Sequence, residues 1–308
     1  MSLKGKDLIS AGDLSASDIG AILKLARRVK QEGGRSRGAL VGRTVALYFE
    51  KPSLRTRVSF EVGIAQLGGR AIYLNTTSTH AERGETLPDT ARVLSRYVDG
   101  IIFRANSHSA VNEMAACADV PVINALSDME HPCQALTDIF TIFEKKGRRK
   151  KLKIAYIGDG NNVANSLLWV CAKLGLHIAL ACPKGYEPDA AVLKKTRTIA
   201  SETGGVIELH NATEPAARGA DVIYTDVWVS MGQEAEMQAR KKAFRRFKVD
   251  ERLLNLAAPD AVFMHDLPAH RGEEVTADII DGDRSVVFDQ AENRLYVQKA
   301  IMMMIFGH

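Results

Sequence analysis

The sequence has few cysteines, little net charge and no long apolar run. Its formal net charge of +4 suits acidic metabolites slightly but does not indicate nucleic-acid binding. The N-terminal residues lack the apolar core of a signal peptide, and no apolar run is long enough to span a membrane. We therefore expect a cytoplasmic protein without nucleic-acid or membrane partners. The four cysteines have no metal-like spacing, which favours reduced thiols over a disulfide framework; they are Cys117, Cys133, Cys171 and Cys182.

The length and composition predict a globular protein of about two domains. The chain has 308 residues, of which 46% are hydrophobic and 25% are charged. Strand-like and helical runs alternate, which indicates parallel sheets covered by helices on both faces. The basic run over 145–151 breaks this alternation, and we interpret it as a solvated linker. The predicted fold is α/β, with two doubly wound domains over 1–147 and 148–290 and a C-terminal helix over 291–308.

The predicted strands are short apolar runs bounded by turn residues. Polar residues at their ends are candidate site residues, because open parallel sheets bind ligands at the carboxyl ends of their strands. The strands are expected near 45–49, 71–74, 100–104 and 121–124 in the first domain, and near 153–157, 177–181, 206–209, 222–225 and 262–265 in the second.

Residues 50–57 indicate a function most clearly. They follow the apolar run 45–49 and precede a segment with helical spacing, which predicts Ser53 as the N-cap of a helix. The N–H groups of a first helical turn favour an anion, and Arg55 and Arg57 could contact a phosphate in bidentate fashion. Because cations are unfavourable in the first turn of a bare helix, a negative ligand is expected there. The alternative is an arginine-rich turn exposed to solvent.

The second half opens with a glycine-containing turn over 157–163 that suggests a different function. A tight turn after a first strand is typical of dinucleotide sites, so the chain could be a nucleotide-dependent oxidoreductase. However, the third glycine of that motif is missing, and no acidic residue follows the next strand at 181–184. The basic segment over 240–246 is interpreted as a solvated loop or lid, because it belongs to no nucleic-acid module.

Four segments, in order along the chain, resemble the transcarbamylase family. Residues 53–57 resemble its carbamoyl-phosphate motif, and residues 131–134 resemble its His-Pro-x-Gln motif. Residues 226–232 and 265–272 resemble two signatures of the ornithine branch of that family. The resemblance covers essentially the whole chain. It implies transfer of a carbamoyl group from carbamoyl phosphate to the δ-amine of ornithine, which gives citrulline and phosphate.

The resemblance also implies an assembly and a set of site residues. It implies a homotrimer or a multiple of trimers with interface active sites, no metal or organic cofactor, and a C-terminal helix that packs back on the first domain. The expected catalytic residues are Arg55, Arg104, His131 and Asp266. The expected ligands of ornithine are Asn165, Asp226, Ser230 and Met231. The expected ligands of carbamoyl phosphate are Ser53, Leu54, Arg55, Thr56, His80, Arg104, His131, Gln134, Asp266, Leu267 and Arg294.

Several of these residues also have a purely structural interpretation. Arg104, at the end of a predicted strand, could form a surface ion pair. A single histidine such as His131 is more often structural than catalytic. Asp226, at another strand end, could cap a turn.

Three positions depart from the family pattern. Leu54 replaces the usual Thr, and His80 aligns with a Gln in a loop lent to the neighbouring subunit. Asp266 replaces the usual Cys beside the attacking amine, where a carboxylate could take up a proton or keep the amine charged. The presence of Asp266 is compatible with three outcomes. The reaction could be unchanged, the acceptor could be a different amine such as putrescine or an acylated ornithine, or the activity could be low. A binding protein that senses carbamoyl phosphate without turnover is a further alternative.

Overall fold

The computed structural model describes residues 3–33, 38–75, 84–148, 152–230 and 233–307 and divides into two compact units. The first unit comprises Met1–Thr137 and Glu292–His308, and the second comprises Asp138–Ala291. The domain boundaries after 147 and 290 stay predictions, whereas the predicted alternation of strands and helices is confirmed. In chain order the helices and strands are α1 (Ala16–Gln31), β1 (Thr44–Phe49), α2 (Leu54–Gln66), β2 (Arg70–Asn75), α3 (Leu87–Leu94), β3 (Gly100–Arg104), α4 (His108–Cys117), β4 (Val122–Leu126), α5 (Pro132–Lys146), β5 (Lys153–Ile157), α6 (Asn162–Leu174), β6 (His177–Ala181), α7 (Ala190–Thr203), β7 (Val206–His210), α8 (Thr213–Ala217), β8 (Val222–Thr225), α9 (Met237–Phe244), α10 (Glu251–Leu254), β9 (Val262–Met264), α11 (Ala277–Ile280) and α12 (Val287–Phe306).

Each unit is built on a parallel sheet with the predicted doubly wound topology. The first sheet has the order β2-β1-β3-β4, and the second has the order β7-β6-β5-β8-β9. The strand order reverses beside β1 in the first unit and beside β5 in the second, because the chain crosses to the opposite side there. Such a reversal opens a crevice at the carboxyl ends of the two adjacent strands. The fold therefore places the segments that follow β1, β3, β5 and β8 where ligands bind.

The central strands are apolar except at their ends, because helices cover both of their faces. Every residue of β3 is buried, and in β1 only Thr44 is partly exposed. This burial explains why these strands appear in the sequence as continuous apolar runs rather than as alternating patterns. The strand β2, at the edge of the sheet, is more exposed, and its Ile72 is 45% exposed.

The C-terminal helix packs back on the first unit, as predicted. From Glu292 onward α12 belongs to that unit, and the carbonyl oxygen of Ile305 accepts a hydrogen bond from the backbone N–H of Gly5 at 3.1 Å. Two glycines of the first unit, Gly63 and Gly100, face α12 so closely that a Cβ atom would lie 3.0 Å from Met302 and 2.3 Å from Phe306, respectively. Among the described residues no helix, α12 included, is long and apolar enough to cross a bilayer.

The contact between Gly100 and Phe306 gives a stability prediction. We expect Gly100→Ala to lower the free energy of unfolding by about 1–3 kcal/mol, because the added methyl group must displace a buried ring. Denaturant unfolding measures this change. The matched control is Gly20→Ala in α1, where nothing lies within 4 Å of the added Cβ and better helix propensity should stabilise by about 0.5–1 kcal/mol. Equal effects of the two substitutions would contradict the proposed packing.

Two basic segments that the sequence predicts to be solvated are partly helical, and each contains one buried basic residue among those described. The first part of 145–151 continues α5, and the side chain of Lys146 is 3% exposed and lies 2.6 Å from Asp260 Oδ2. The segment 240–246 forms the end of α9 and part of a short 3-10 helix over Arg245–Phe247, with Arg240 buried. The prediction of solvation is wrong for Lys146 and Arg240, because a charge run does not reveal buried partners that lie far away in the sequence. The other described basic residues of the two segments are exposed or half-buried, and 149–151 lie outside the described residues.

Candidate active site

The N-terminus of α2 has the capping geometry that the sequence predicts for an anion site. Ser53 is the N-cap, and its Oγ accepts a hydrogen bond from the backbone N–H of Thr56 at 3.3 Å. The N–H groups of the first turn lie at the positive end of the helix dipole. Leu54 is 78% exposed, so its contribution to an anion site would come from the backbone N–H rather than from the side chain.

The side chain of Arg57 does not point to the anion site at the N-terminus of α2. Its guanidinium lies over the ring of Tyr73, 3.7 Å from the centroid, and its Nε lies 3.0 Å from Glu61 Oε1. The expectation that both arginines of the first turn serve an anion is therefore wrong for Arg57, which stabilises the helix surface.

Two arginines from distant parts of the sequence converge on Thr56. Its buried hydroxyl oxygen accepts hydrogen bonds from Arg294 Nη2 at 2.9 Å and from Arg104 Nη1 at 3.4 Å. Arg104 ends β3 and lies opposite Phe49, which ends β1, so the parallel register carries Arg104 to the start of α2. The helix α12 supplies Arg294. Planar guanidinium groups beside a helix N-terminus match the oxygen atoms of a phosphate group.

His131 lies beside this positive cluster, immediately before α5, and is 2% exposed. Burial holds its pKa well below the usual range, and the charges of Arg294, Arg104 and Arg55 lower the pKa further. The imidazole is therefore neutral at physiological pH and keeps one N–H donor and one acceptor. Gln134 is fully buried, and its backbone N–H donates to the carbonyl oxygen of His131 at 3.0 Å.

Cys133, between these two residues, is not a nucleophile. Burial raises the pKa of its thiol to about 12, with a smaller opposing effect from the charge of Arg294. Its Sγ donates to the carbonyl oxygen of Asn124 at 3.7 Å. The thiol thus stays protonated, which leaves the neighbouring polar groups to act by hydrogen bonding and charge.

In the second unit, Asp226 follows β8 and joins two loops at the reversal point of the sheet. Its Oδ2 accepts a hydrogen bond from Asn161 Nδ2 at 2.6 Å, and its Oδ1 accepts from the backbone N–H of Val227 at 2.7 Å. Asn161 follows β5 and is also the N-cap of α6. The loops after two adjacent strands, β5 and β8, therefore hold this carboxyl group in place.

Asp226 and Asp266 lie close together, since one carboxylate oxygen of each and a ring nitrogen of His265 lie within 4.8 Å of one another. Burial raises the pKa of Asp226 well above its usual range, and the negative charge of Asp266 raises it further. Two carboxylates this close repel each other, so protonation of Asp226 is favoured when no cation is bound. Asp226 can therefore release a proton when a cationic ligand approaches.

The neighbouring His265 has a defined orientation. Its Nδ1 accepts a hydrogen bond from the backbone N–H of Leu267 at 2.9 Å, so the ring proton belongs on Nε2, which lies 3.3 Å from Oε1 of the buried Glu274. Leu267 has a φ of +60°, in the left-handed region that a leucine rarely adopts. This turn directs the backbone back towards His265 immediately after Asp266.

The side chains of Asp226, His265 and Asp266 could also hold a metal ion, because one ligand atom of each lies within 4.8 Å of the others. Imidazole and carboxylate are suitable zinc ligands. An ion bound through His265 would, however, have to displace either Leu267 or Glu274 from the ring.

The other expected ornithine ligands are only partly described. Asn165 is 4% exposed, and its Oδ1 accepts from the backbone N–H of Asp189 at 3.2 Å. Ser230 is half-buried, and its backbone N–H donates to Gln233 Oε1 at 3.0 Å. Two expected ligands lie outside the described residues: His80 and Met231.

Asn161 and Glu274, which were not among the expected site residues, orient Asp226 and His265. Asn161 lies within the turn that suggested a dinucleotide site. Gly160 in that turn is explained by packing, because a Cβ there would lie 2.1 Å from the backbone nitrogen of Pro188. The glycine therefore reflects a close approach of two chain segments. Glu274 has no local sequence signal, since its contact with His265 depends on how the chain folds back after β9.

The fold and these two groups of side chains define a class of protein. The first unit offers a helix N-terminus, arginines and a neutral imidazole, which suit a phosphorylated donor that carries a carbonyl group. The second unit offers carboxyl groups, which suit an amine. Both groups of side chains are those expected of a two-domain transferase that moves a group from an anionic donor to an amine.

Comparison with known proteins identifies the particular family. Residues 6–144 match the family model described as "Aspartate/ornithine carbamoyltransferase, carbamoyl-P binding domain". Residues 150–305 match the model described as "Aspartate/ornithine carbamoyltransferase, Asp/Orn binding domain". The chain belongs to the aspartate/ornithine carbamoyltransferase family.

Similar proteins cover the whole chain. An ornithine carbamoyltransferase from Thermococcus kodakarensis is 54% identical over 309 aligned residues, which cover 100% of this chain and 98% of the relative. A relative from Pyrococcus furiosus, named as an anabolic ornithine carbamoyltransferase, has the same identity and coverage. The solved structure of the Pyrococcus furiosus enzyme matches with a TM-score of 0.95 over 99% of this chain and 98% of that one, at 54% identity. The structure of the Gloeobacter violaceus enzyme matches with a TM-score of 0.89 at 45% identity, over 99% of each chain.

Proposed function

We propose that this protein is an ornithine carbamoyltransferase. It transfers the carbamoyl group of carbamoyl phosphate to the δ-amine of L-ornithine and releases L-citrulline and phosphate. The observation that carries this proposal is the similarity, over the full length, to proteins of that name. The convergence of Arg104 and Arg294 on Thr56 at a helix N-terminus supports it independently, because it provides a site for the phosphate.

In this proposal the first unit binds the donor. The phosphate lies at the N-terminus of α2, where Ser53, Leu54 and Thr56 offer backbone or hydroxyl groups and Arg55 and Arg104 offer charge. As the bond to phosphorus breaks, the leaving oxygen gains negative charge, and the arginines stabilise that charge more strongly than they stabilise the ground state.

The carbamoyl group lies at His131. A neutral imidazole donates a hydrogen bond to the carbonyl oxygen, which with Arg104 and Arg294 makes the carbonyl carbon a better electrophile. Gln134 accepts a hydrogen bond from the carbamoyl amide. The low pKa of His131 suits this role, because an imidazole that remains neutral does not release a proton to the intermediate.

The second unit binds the acceptor. Asp226 holds the α-ammonium group of ornithine, with Asn165, Ser230 and Met231 as further ligands. Asp266 and the backbone of Leu267 contact the neutral δ-amine, which attacks the carbonyl carbon of the donor. The reaction needs alignment of two substrates and no covalent enzyme intermediate. We propose no metal or organic cofactor and a cytoplasmic location, which the free cysteines suit.

The proposal is tested by assays of product formation from carbamoyl phosphate with ornithine, putrescine and N-acetylornithine in parallel. Citrulline as the main product supports the assignment. A different carbamoylated amine would overturn the acceptor assignment and leave the donor site intact. Tight carbamoyl phosphate binding without any product would indicate a sensor protein instead.

We also propose a homotrimer, or a multiple of trimers, in which α2 lies at the subunit interface. Leu54, Val58 and Val62 are 78%, 46% and 37% exposed, and their spacing of four residues places them in one stripe along α2. An apolar stripe of this kind is typical of an interaction surface. It begins in the first turn of α2, beside the donor site, so a second copy of the chain there could complete that site with His80.

We expect Val58→Glu to reduce both assembly and activity, because a buried unpaired carboxylate opposes subunit contact. Light scattering measures the mass of the particle, and citrulline formation measures the activity. The matched control is Val206→Glu in β7, where a valine of similar exposure, 45%, lies outside the stripe. A trimer that survives Val58→Glu unchanged would exclude this surface as the interface.

A further inference from the structure

The guanidinium of Arg240 contacts three loops at the carboxyl ends of strands in the second sheet. Its Nη1 donates to Asp159 Oδ2 at 2.8 Å and to the carbonyl oxygen of Trp228 at 3.1 Å. Its Nε donates to Glu236 Oε2 at 3.0 Å, and the group lies 5.0 Å from the centroid of the Tyr186 ring. Asp159 follows β5, Tyr186 follows β6 and Trp228 follows β8, and these three strands are neighbours.

Phe244, one helical turn after Arg240, contacts two of the same residues. Its ring stacks against Trp228 at 6.1 Å between centroids and meets the edge of Tyr186 at 4.8 Å. One face of α9 therefore holds Trp228 through both its carbonyl group and its ring. Positions four residues apart on a helix point in the same direction, so this double contact fixes α9 against the loop.

Trp228 lies midway between Asp226 and Ser230, the two expected ornithine ligands. A displacement of Trp228 would move both ligands, because only one residue separates Trp228 from each of them. Asp226 is additionally tied to Asn161, in the same loop as Asp159. The contacts of Arg240 thus connect α9, which follows the segment 226–230, with the loop before α6.

The ion pair between Arg240 and Asp159 is not explained by stability alone, because two charges lose their hydration when they are buried. Both side chains are 8% exposed. Burial raises the pKa of Asp159 to about 6 even though the adjacent charge of Arg240 lowers it. Apolar groups of similar size commonly stabilise a core as well as such a pair does, whereas directional hydrogen bonds specify one arrangement.

We propose that Arg240 is a positioning residue that holds the segment from Asp226 to Ser230 in the geometry that binds ornithine. This inference rests on the proposed function. Arg240 acts through Trp228 and Asp159 and does not itself contact the substrate. Its removal weakens the binding of ornithine more than it affects the donor, whose expected ligands lie mostly in the first unit.

The test compares Arg240→Gln, Arg240→Lys and Asp159→Asn with the unaltered enzyme in assays that vary each substrate separately. We expect Arg240→Gln to raise the KM for ornithine at least tenfold and to change the KM for carbamoyl phosphate less than threefold. Arg240→Lys should restore part of the effect, since an ammonium group can pair with Asp159 but cannot reproduce the planar contacts. The control is Arg252→Gln, which removes an exposed ion pair with Glu214 in the same unit and should leave both constants unchanged.

Tryptophan fluorescence supplies a second measurement that does not require turnover. The chain has two tryptophans, so a Trp169→Phe background leaves Trp228 as the reporter. We expect Arg240→Gln to shift its emission and to weaken its response to ornithine. Unchanged emission together with an unchanged KM for ornithine would overturn the proposal, as would an equal loss for both substrates. An unaltered protein that binds ornithine but forms no citrulline would contradict the proposed function, and the fluorescence comparison would still decide the role of Arg240.

Discussion

Replacing Arg104 with methionine is expected to lower kcat/KM for carbamoyl phosphate by about 10²–10³-fold, the typical loss when one charge-stabilising donor is removed. Arg104 is 5% exposed, it donates to Thr56 at the start of α2, and its charge acts on His131. A methionine replaces the aliphatic part of the arginine side chain but cannot bind a phosphate or stabilise its departure. The KM for ornithine should change little, because its proposed ligands lie in the second unit.

Two further variants make this prediction specific. Arg104→Lys should recover part of the loss, because lysine restores the charge without the bidentate geometry. Arg28→Met removes an exposed arginine of α1 and should have no effect on kcat/KM. An Arg104→Met protein that folds normally and retains kcat/KM within threefold would contradict the donor site.

The second large effect concerns Asp266 and the binding of the acceptor. Asp226 must be ionised to hold an ammonium group, but burial and the charge of Asp266 raise the pKa of Asp226. Acceptor binding should therefore weaken as the pH falls through this raised pKa, by about tenfold per pH unit below it. We expect Asp266→Asn to move this weakening to lower pH, because the raising effect of the Asp266 charge is lost.

L-norvaline is a suitable probe of this effect, because it lacks the δ-amine whose own ionisation would obscure the result. Calorimetric titrations in two buffers of different ionisation enthalpy should show proton release on binding to the unaltered protein and less release for Asp266→Asn. Identical pH profiles and identical proton release would mean that the charge of Asp266 does not raise the pKa of Asp226.

The same pKa shift has a consequence for stability. A carboxyl group whose pKa is higher in the folded than in the unfolded state favours folding at pH below its unfolded pKa, and loses that contribution as the pH rises through the folded value. Ionisation of Asp226 thus destabilises the protein at neutral and alkaline pH. We therefore expect Asp266→Asn to increase the unfolding free energy in that range, the pattern of a functional site maintained at the expense of stability.

The sequence predicted the strands and the start of α2 well, because those features are local. Central strands such as β1 and β3 are continuous apolar runs, and Ser53 is a favourable N-cap residue before a helical pattern. The resemblance to the transcarbamylases indicated Arg294 as a site residue. Local patterns could not have done so, since Arg294 and Thr56 are separated by 238 positions in the sequence.

The errors and omissions involve polar residues whose partners are distant. Arg240 appeared to belong to a solvated basic run, yet its partner Asp159 lies 81 positions away and both are buried. Arg57 appeared to be equivalent to Arg55 as a phosphate ligand, yet its guanidinium packs on the ring of Tyr73 in β2. A sequence pattern reports the character of a side chain, whereas its role depends on the groups that the fold places around it.

The most direct test of the central claim follows the carbamoyl carbon. The unaltered protein would be incubated with ¹³C-labelled carbamoyl phosphate and L-ornithine in the presence of EDTA, and the products would be observed by NMR. The account predicts that the label appears in the ureido carbon of citrulline with one phosphate released per citrulline, and that Arg104→Met abolishes most of the transfer. Label that remains in carbamoyl phosphate, or that appears only in its spontaneous breakdown products, would contradict the account.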